Sequence, residues 1–150
     1  MNKIDSFLNE SEREEVAKFI SSLEEKTSGE IRVAVRFKRG FFEKNKSVHE
    51  LAIKEFHRLK MHKTRDKTGV LLFFLLDHKE FHIVADEGIH TKVEDGTWDK
   101  IASELTEHFK QQKFKDGILH GLKKVGAILS QHFPRKSDDT NELSNEVSFR

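Results

Sequence analysis

Val70-Leu71-Leu72-Phe73-Phe74-Leu75-Leu76 is a run of seven apolar residues bounded by turn formers, with Gly69 before it and Asp77 after it. It is short for a helix and apolar on both of the faces that alternate along an extended chain, so it reads as the central strand of a sheet covered on both sides. Asp77-His78-Lys79-Glu80 separates it from Phe81 to Ala85. That spacing predicts an antiparallel hairpin, and with His78-Lys79 as a two-residue turn position 86 falls opposite position 71.

Upstream, Ile31, Val33, Val35 and Phe37 alternate with Arg32 and Arg36, the pattern of a strand with one wetter face. Between the two strands Ser47 and Glu50 form a capping-box signature, and Val48, Leu51, Ala52, Phe56 and Leu59 mark one face of a helix over about 48–60. Two strands joined through a helix pair in parallel by a right-handed crossover when they share a sheet. An earlier helix starts at Asn9 with Glu12 three residues on, carries Val16, Phe19, Ile20 and Leu23 on one face, and breaks at Lys26-Thr27-Ser28-Gly29. Two later helices carry Trp98, Ile101, Ala102, Leu105 and Phe109, then Ile118, Leu122, Val125, Leu129 and Phe133, with Asp95 and Asp116 as candidate N-caps. The expectation is one α/β domain over 1–134, with a small mixed sheet and about four helices. Residues 135–150 read as a polar tail, flexible unless Leu143, Val147 or Phe149 docks.

Composition narrows the chemistry. The chain has 150 residues and no Cys, which rules out disulfides, thiolate metal sites, iron-sulfur clusters and a thiol nucleophile. Thirteen Phe, one Trp and no Tyr suit core packing better than base stacking. Twenty-seven basic against twenty-six acidic residues, interspersed, give a net charge of +1, and no nucleic-acid partner is expected. No stretch approaches the ~18 apolar residues of a membrane span and no export signal stands at the start, so the expectation is a cytoplasmic monomer with a protein partner. The nine His include no His-Glu-x-x-His motif, and no dinucleotide, Walker A or nucleophile-elbow pattern is present. Arg58-Leu59-Lys60-Met61-His62-Lys63-Thr64-Arg65 could rim a phosphate site.

The topology predicts that four acids gather at one end of the sheet. Parallel strands start at the same end, which brings Glu30 towards the loop carrying Asp66. The hairpin returns Asp86 to that end, and Asp95 begins the following helix. Carboxylates that share a site need a compensating cation or proton, and a hard divalent ion, calcium or magnesium, is one such partner. His62 and His90 lie in loops at the same end and could join the shell or donate a proton. Each acid also has a local reading: Asp95 as a helix cap, Asp86 as holder of the turn before Gly88, Glu30 paired with a base, and Asp66 solvated between Arg65 and Lys67.

Thr27-Ser28-Gly29-Glu30-Ile31-Arg32-Val33 after an amphipathic helix, Gly69-Val70-Leu71-Leu72 opening the central strand, and Asp86-Glu87-Gly88-Ile89 before Asp95 together resemble the TPM-domain family, from the first helix to Phe133. Met61-His62-Lys63-Thr64 and the closing Asn141-Glu142-Leu143-x-x-Glu146-x-Ser148-Phe149 are similar to a free-standing bacterial subgroup. The resemblance implies a three-layer α/β/α sandwich and, in some members, divalent-cation binding. Chloroplast relatives are ascribed acid phosphatase activity and a role in photosystem II repair, and animal relatives act as receptor accessory subunits. Glu30 and Asp95 match acids common in the family, and Asp86 matches one common in the subgroup. Asp66 does not match: the family's Asp-Asn before the strand glycine is here Lys67-Thr68, and its Gly-Tyr-Gly is Asp86-Glu87-Gly88. On this reading the chain is a divalent-cation-binding interaction or regulatory module, with a metal-dependent phosphatase as the alternative.

Overall fold

A computed structural model of the chain describes residues 3–135 and 145–150. Strand β2, Gly69–Leu75, is buried at all seven positions. It pairs in parallel with β1, Glu30–Arg36, from Glu30 opposite Gly69 to Arg36 opposite Leu75. On its other side it pairs antiparallel with β3, Glu80–Ala85. A two-residue strand β4, Ser148–Phe149, adds in parallel to the outer edge of β1, giving the order β3-β2-β1-β4.

The hairpin corrects the predicted register. Leu75 pairs with Glu80, so the turn is Leu76 to Lys79, closed by the Lys79 amide donating to the Leu76 carbonyl at 3.2 Å, with Lys79 left-handed at φ 54°. Position 86 therefore lies opposite 69 and not 71, and the Asp86 amide donates to the Gly69 carbonyl at 2.9 Å. A slip of two residues preserves which side chains share a face. It also brings Asp86 level with Glu30.

Among the described residues six helices surround the sheet: α1 Lys3–Phe7, α2 Glu10–Glu24, α3 Val48–Arg58, α4 Glu87–His90, α5 Thr97–Lys110 and α6 Phe114–His132. The two beyond the expected four are single turns, too short to show an apolar period. On one face Val70, Leu72 and Phe74 join Ile31, Val33 and Val35 against Val16, Ile20, Leu105 and Leu122. On the other Leu71, Phe73 and Leu75 meet Leu51, Ala52, Phe56 and Met61. The result is the three-layer α/β/α arrangement with a mixed sheet. Asn9 caps α2 by a reciprocal box, its Oδ1 accepting from the Glu12 amide at 2.8 Å. Ser47 caps α3. The other two expected caps are different residues. Gly96, left-handed at φ 85°, precedes α5 in place of Asp95, and Lys113 precedes α6, with Asp116 inside its first turn. A left-handed position suits glycine, which has no Cβ to clash.

The expectation of a flexible tail gives way over the last six residues. Val147 and Phe149 pack on the larger core cluster, the Arg13 guanidinium lies 4.6 Å over the Phe149 ring, and the Arg150 amide donates to the Val35 carbonyl at 3.1 Å. The cause is electrostatic as well as apolar. Glu55 is 3% exposed, and its carboxylate accepts from Arg58 at 2.5 Å and from Arg150 at 2.8 Å, so the tail supplies part of the charge that a buried carboxylate requires. Leu143 lies outside the described residues. Among those described, no helix is long and apolar enough to cross a membrane.

Candidate functional site

The end of the sheet where β1 and β2 begin and β3 finishes carries three of the four expected acids. Glu30, Gly69 and Asp86 form a row across the strands. At about 4.8 Å between neighbouring strands, Glu30 and Asp86 stand roughly 10 Å apart along the row. The absent side chain at Gly69 leaves room that the Met61 carbonyl and the Phe56 ring fill.

Asp86 caps α4, its Oδ1 accepting from the Glu87 amide at 2.8 Å. Its other oxygen, Oδ2, is buried with no hydrogen-bond partner among the described residues. His62, in a single helical turn over Met61–Lys63, is in the same condition: its Nδ1 is buried and unpartnered. Desolvation, with the neighbouring His57, Lys63 and Lys67, holds the His62 imidazole below its ordinary pKa, and the Asp86 carboxylate acts in the opposite direction. Two buried polar atoms near this end of the sheet thus lack partners among the described residues, where a buried polar atom normally has one.

Asp66 sits on the loop between them. That loop is held by the Thr68 amide donating to Thr64 Oγ1 at 3.2 Å and by Lys67, left-handed at φ 56°, whose Nζ donates to the His62 carbonyl at 2.8 Å. Asp66 forms a loose ion pair with Arg65 at 3.8 Å. The Asp66–Lys67 backbone packs directly on Gly88, where an added Cβ would stand 2.2 Å from the Asp66 carbonyl oxygen. Asp66 and Asp86 are thereby locked onto touching segments.

Glu30 is spoken for. It is 2% exposed and hydrogen-bonds with Glu24, itself 5% exposed, whose Oε2 accepts from the Ile31 amide at 2.8 Å. Burial first, and then the Glu30 charge, push Glu24 up to about 9, so at neutral pH Glu24 holds a proton and the two acids share it. Sequence reasoning missed Glu24, although an acid four residues beyond Ile20 and eight beyond Val16 stands on the buried stripe of its helix.

Asp95 does not join this group. It is exposed and lines a hollow of about 360 Å³ outside β3, with His49, His82, His90, Glu94 and Asp99 among its neighbours. There His49 Nδ1 and His82 Nε2 lie 2.8 Å apart, and burial followed by His49 holds the His82 imidazole below its usual value. His90, expected at the acidic end, also lines this hollow. Among the described residues no three His, Asp or Glu side chains are grouped closely enough to hold a metal ion by themselves.

Comparison with known proteins follows the same lines. A family model described as the TPM domain matches residues 1–128. Among solved structures, the chain is similar to the NMR structure of BA42 from the psychrophilic bacterium Bizionia argentinensis, at 36% identity and a TM-score of 0.82 over 93% of each chain. It is also similar to the solution NMR structure of the N-terminal domain of a protein from P. gingivalis, at 17% identity and a TM-score of 0.69, over 87% of this chain and 83% of that one, a likeness of fold alone. No curated protein matches the chain.

Proposed function

Because the chain belongs to the TPM-domain family, we propose that it is a cation-dependent interaction module whose ligand end is the surface where the Asp66 loop meets the Asp86 segment. The observation that carries this is the buried Oδ2 of Asp86, without a hydrogen-bond partner among the described residues, on a carboxylate whose charge acts on the His62 imidazole, where Nδ1 is likewise unpartnered. A hard divalent cation fits the donors present. Asp86 would supply one carboxylate oxygen and Asp66 another, and water would complete the coordination, as it does for magnesium and for calcium sites with few protein ligands. Glu30 stands behind the pair as a neighbour already engaged by Glu24, and Asp95 has no part in it. The bound ion would supply a fixed positive charge.

Calorimetric titration of the full chain with calcium and with magnesium tests this directly. A Kd on the order of 0.1–1 mM is expected for so sparse a ligand set, with at least tenfold weaker binding by Asp86→Asn, about 1.4 kcal/mol. Asn caps a helix as well as Asp does, so the variant keeps its fold. Neither ion binding, or unchanged binding by Asp86→Asn, would sink the site. A metal-dependent phosphatase is the second reading, favoured by the exposed Lys63 and the half-exposed Arg65 on the same loop, which could meet a phosphate. Hydrolysis of an aryl phosphate that a chelator and Asp86→Asn both abolish would select it; binding without turnover would select the module.

A further inference from the structure

At the far end of β1 from Glu30, the chain leaves the sheet through Lys38-Arg39-Gly40 and makes a single helical turn, Phe41–Glu43. Phe41 is 78% exposed and Phe42 is 90% exposed. Their rings stand edge to face, 5.1 Å apart, and neither is covered by another element. One exposed Phe needs no explanation, but two adjacent ones, when every other large apolar side chain among the described residues is at least partly buried, do.

The turn that presents them is braced from beneath. Glu43, 6% exposed, accepts from Arg36, from Lys54 at 3.0 Å and from the Gly40 amide at 2.8 Å. Those contacts, Arg36 foremost, hold the Glu43 carboxyl down at about 2, so the brace stays ionised across the physiological range. The pair is therefore fixed outward. Exposed Lys38, Lys44 and Lys46 surround it, with the Lys44 ammonium 5.4 Å from the Phe41 ring centroid. The hollow on one side of the rings is walled by Arg36, Lys54, Arg58 and Arg150 as well as Glu43, and the one on the other by Lys38, Arg39 and Lys44 together with Asp77 and His78.

We propose that the Phe41-Phe42 turn is a membrane-surface anchor, inserting its two rings among the acyl chains of an anionic bilayer while Lys38, Lys44 and Lys46 meet the headgroup phosphates. Charge complementarity selects this occupant. A basic collar around an apolar tip matches an anionic interface in which the collar lies at headgroup depth and the tip below it. The shape agrees. The rings project from the surface at 78% and 90% exposure, a point that a deformable lipid surface accepts and a folded partner would have to match with a pocket. The anchor concerns the opposite end of β1 and stands or falls independently of the cation site.

Flotation of the full chain with phosphatidylcholine vesicles, alone or with about one-third phosphatidylglycerol, tests it. Wild-type protein is expected to float with the anionic vesicles and not with the neutral ones, and to be released as salt rises. The Phe41→Ala/Phe42→Ala double variant, which alters only exposed side chains, is expected to lose at least tenfold in partitioning. Lys44→Gln/Lys46→Gln is expected to weaken it to a lesser degree. Absence of flotation, or flotation that the double Phe variant retains, overturns the proposal. So does a sedimentation-equilibrium dimer that dissociates in the double Phe variant, since the rings would then cover each other's counterpart in a second copy.

Discussion

Glu24→Gln is expected to flatten the pH dependence of stability between pH 7 and pH 9. In the folded chain Glu24 keeps its proton up to about 9, whereas in the unfolded chain it releases it near 4.5. Between those values the native state holds one more proton than the unfolded state, so stability falls as pH rises, by about 1.4 kcal/mol per pH unit from this group alone. Its contribution is whole below about pH 4.5 and is lost by the time pH passes the folded value near 9. The window above pH 7 isolates it. Glu43, held at about 2, changes protonation only in acid, and the depressed His62 and His82 release their protons below the ordinary histidine range. Wild-type protein should therefore lose about 2–3 kcal/mol from pH 7 to pH 9. A Gln at position 24 can still accept from the Ile31 amide and can donate to Glu30 permanently, so its urea midpoint should stay nearly level over the same range. Parallel slopes for the two proteins would show that the two acids do not share a proton.

Gly88→Ala is expected to cost about 3 kcal/mol or more. The new methyl would stand 2.2 Å from the Asp66 carbonyl oxygen and 2.4 Å from that of Lys67, and both obstacles are backbone, which cannot rotate aside as a flexible side chain would. One of the two loops must move. Because Gly88 has an ordinary φ, the penalty is one of space and not of conformation. Thermal unfolding would show the loss, and cation titration of the same variant would show weakened binding. A variant with a wild-type melting temperature would mean that the two loops are not in contact.

Much of this architecture was legible because it depends on short-range patterns. Seven consecutive apolar residues could only be a strand buried on both faces, and the helix between the first two strands dictated their parallel pairing. The hairpin register was out by two because Lys79 takes a left-handed conformation that sequence assigns to Gly or Asn. Asp95 was misplaced for a related reason. The one-turn α4 carries no period, and it redirects the chain past the edge of β3 before α5 begins. Glu30 and Asp86 were placed at the correct end, but no local pattern shows that Glu30 already has an acid for a partner. That contact joins the end of one helix to the start of a strand, and it shows only when burial is known. Phe41 and Phe42 were legible as letters and not as surface, since aromatic residues are core by default.

The two faces of the sheet are unequally covered. Among the described residues, seventeen buried apolar side chains occupy the side with α2, α5 and α6, against nine on the side where α3 packs with the short turn at Met61. Such asymmetry sets an order of opening. Amide hydrogen exchange should find α3 in the least protected cooperative unit among the long helices and α6 in the most protected, with α3 exchanging by a sub-global route while the β1–β2 ladder stays closed. Comparable protection factors in both helices would contradict that order. In the partly opened form Leu71, Phe73 and Leu75 would meet water while the rest of the molecule remained native. For this chain, the species most exposed to proteases and to self-association is a state of the folded ensemble, visited from the native side without global unfolding.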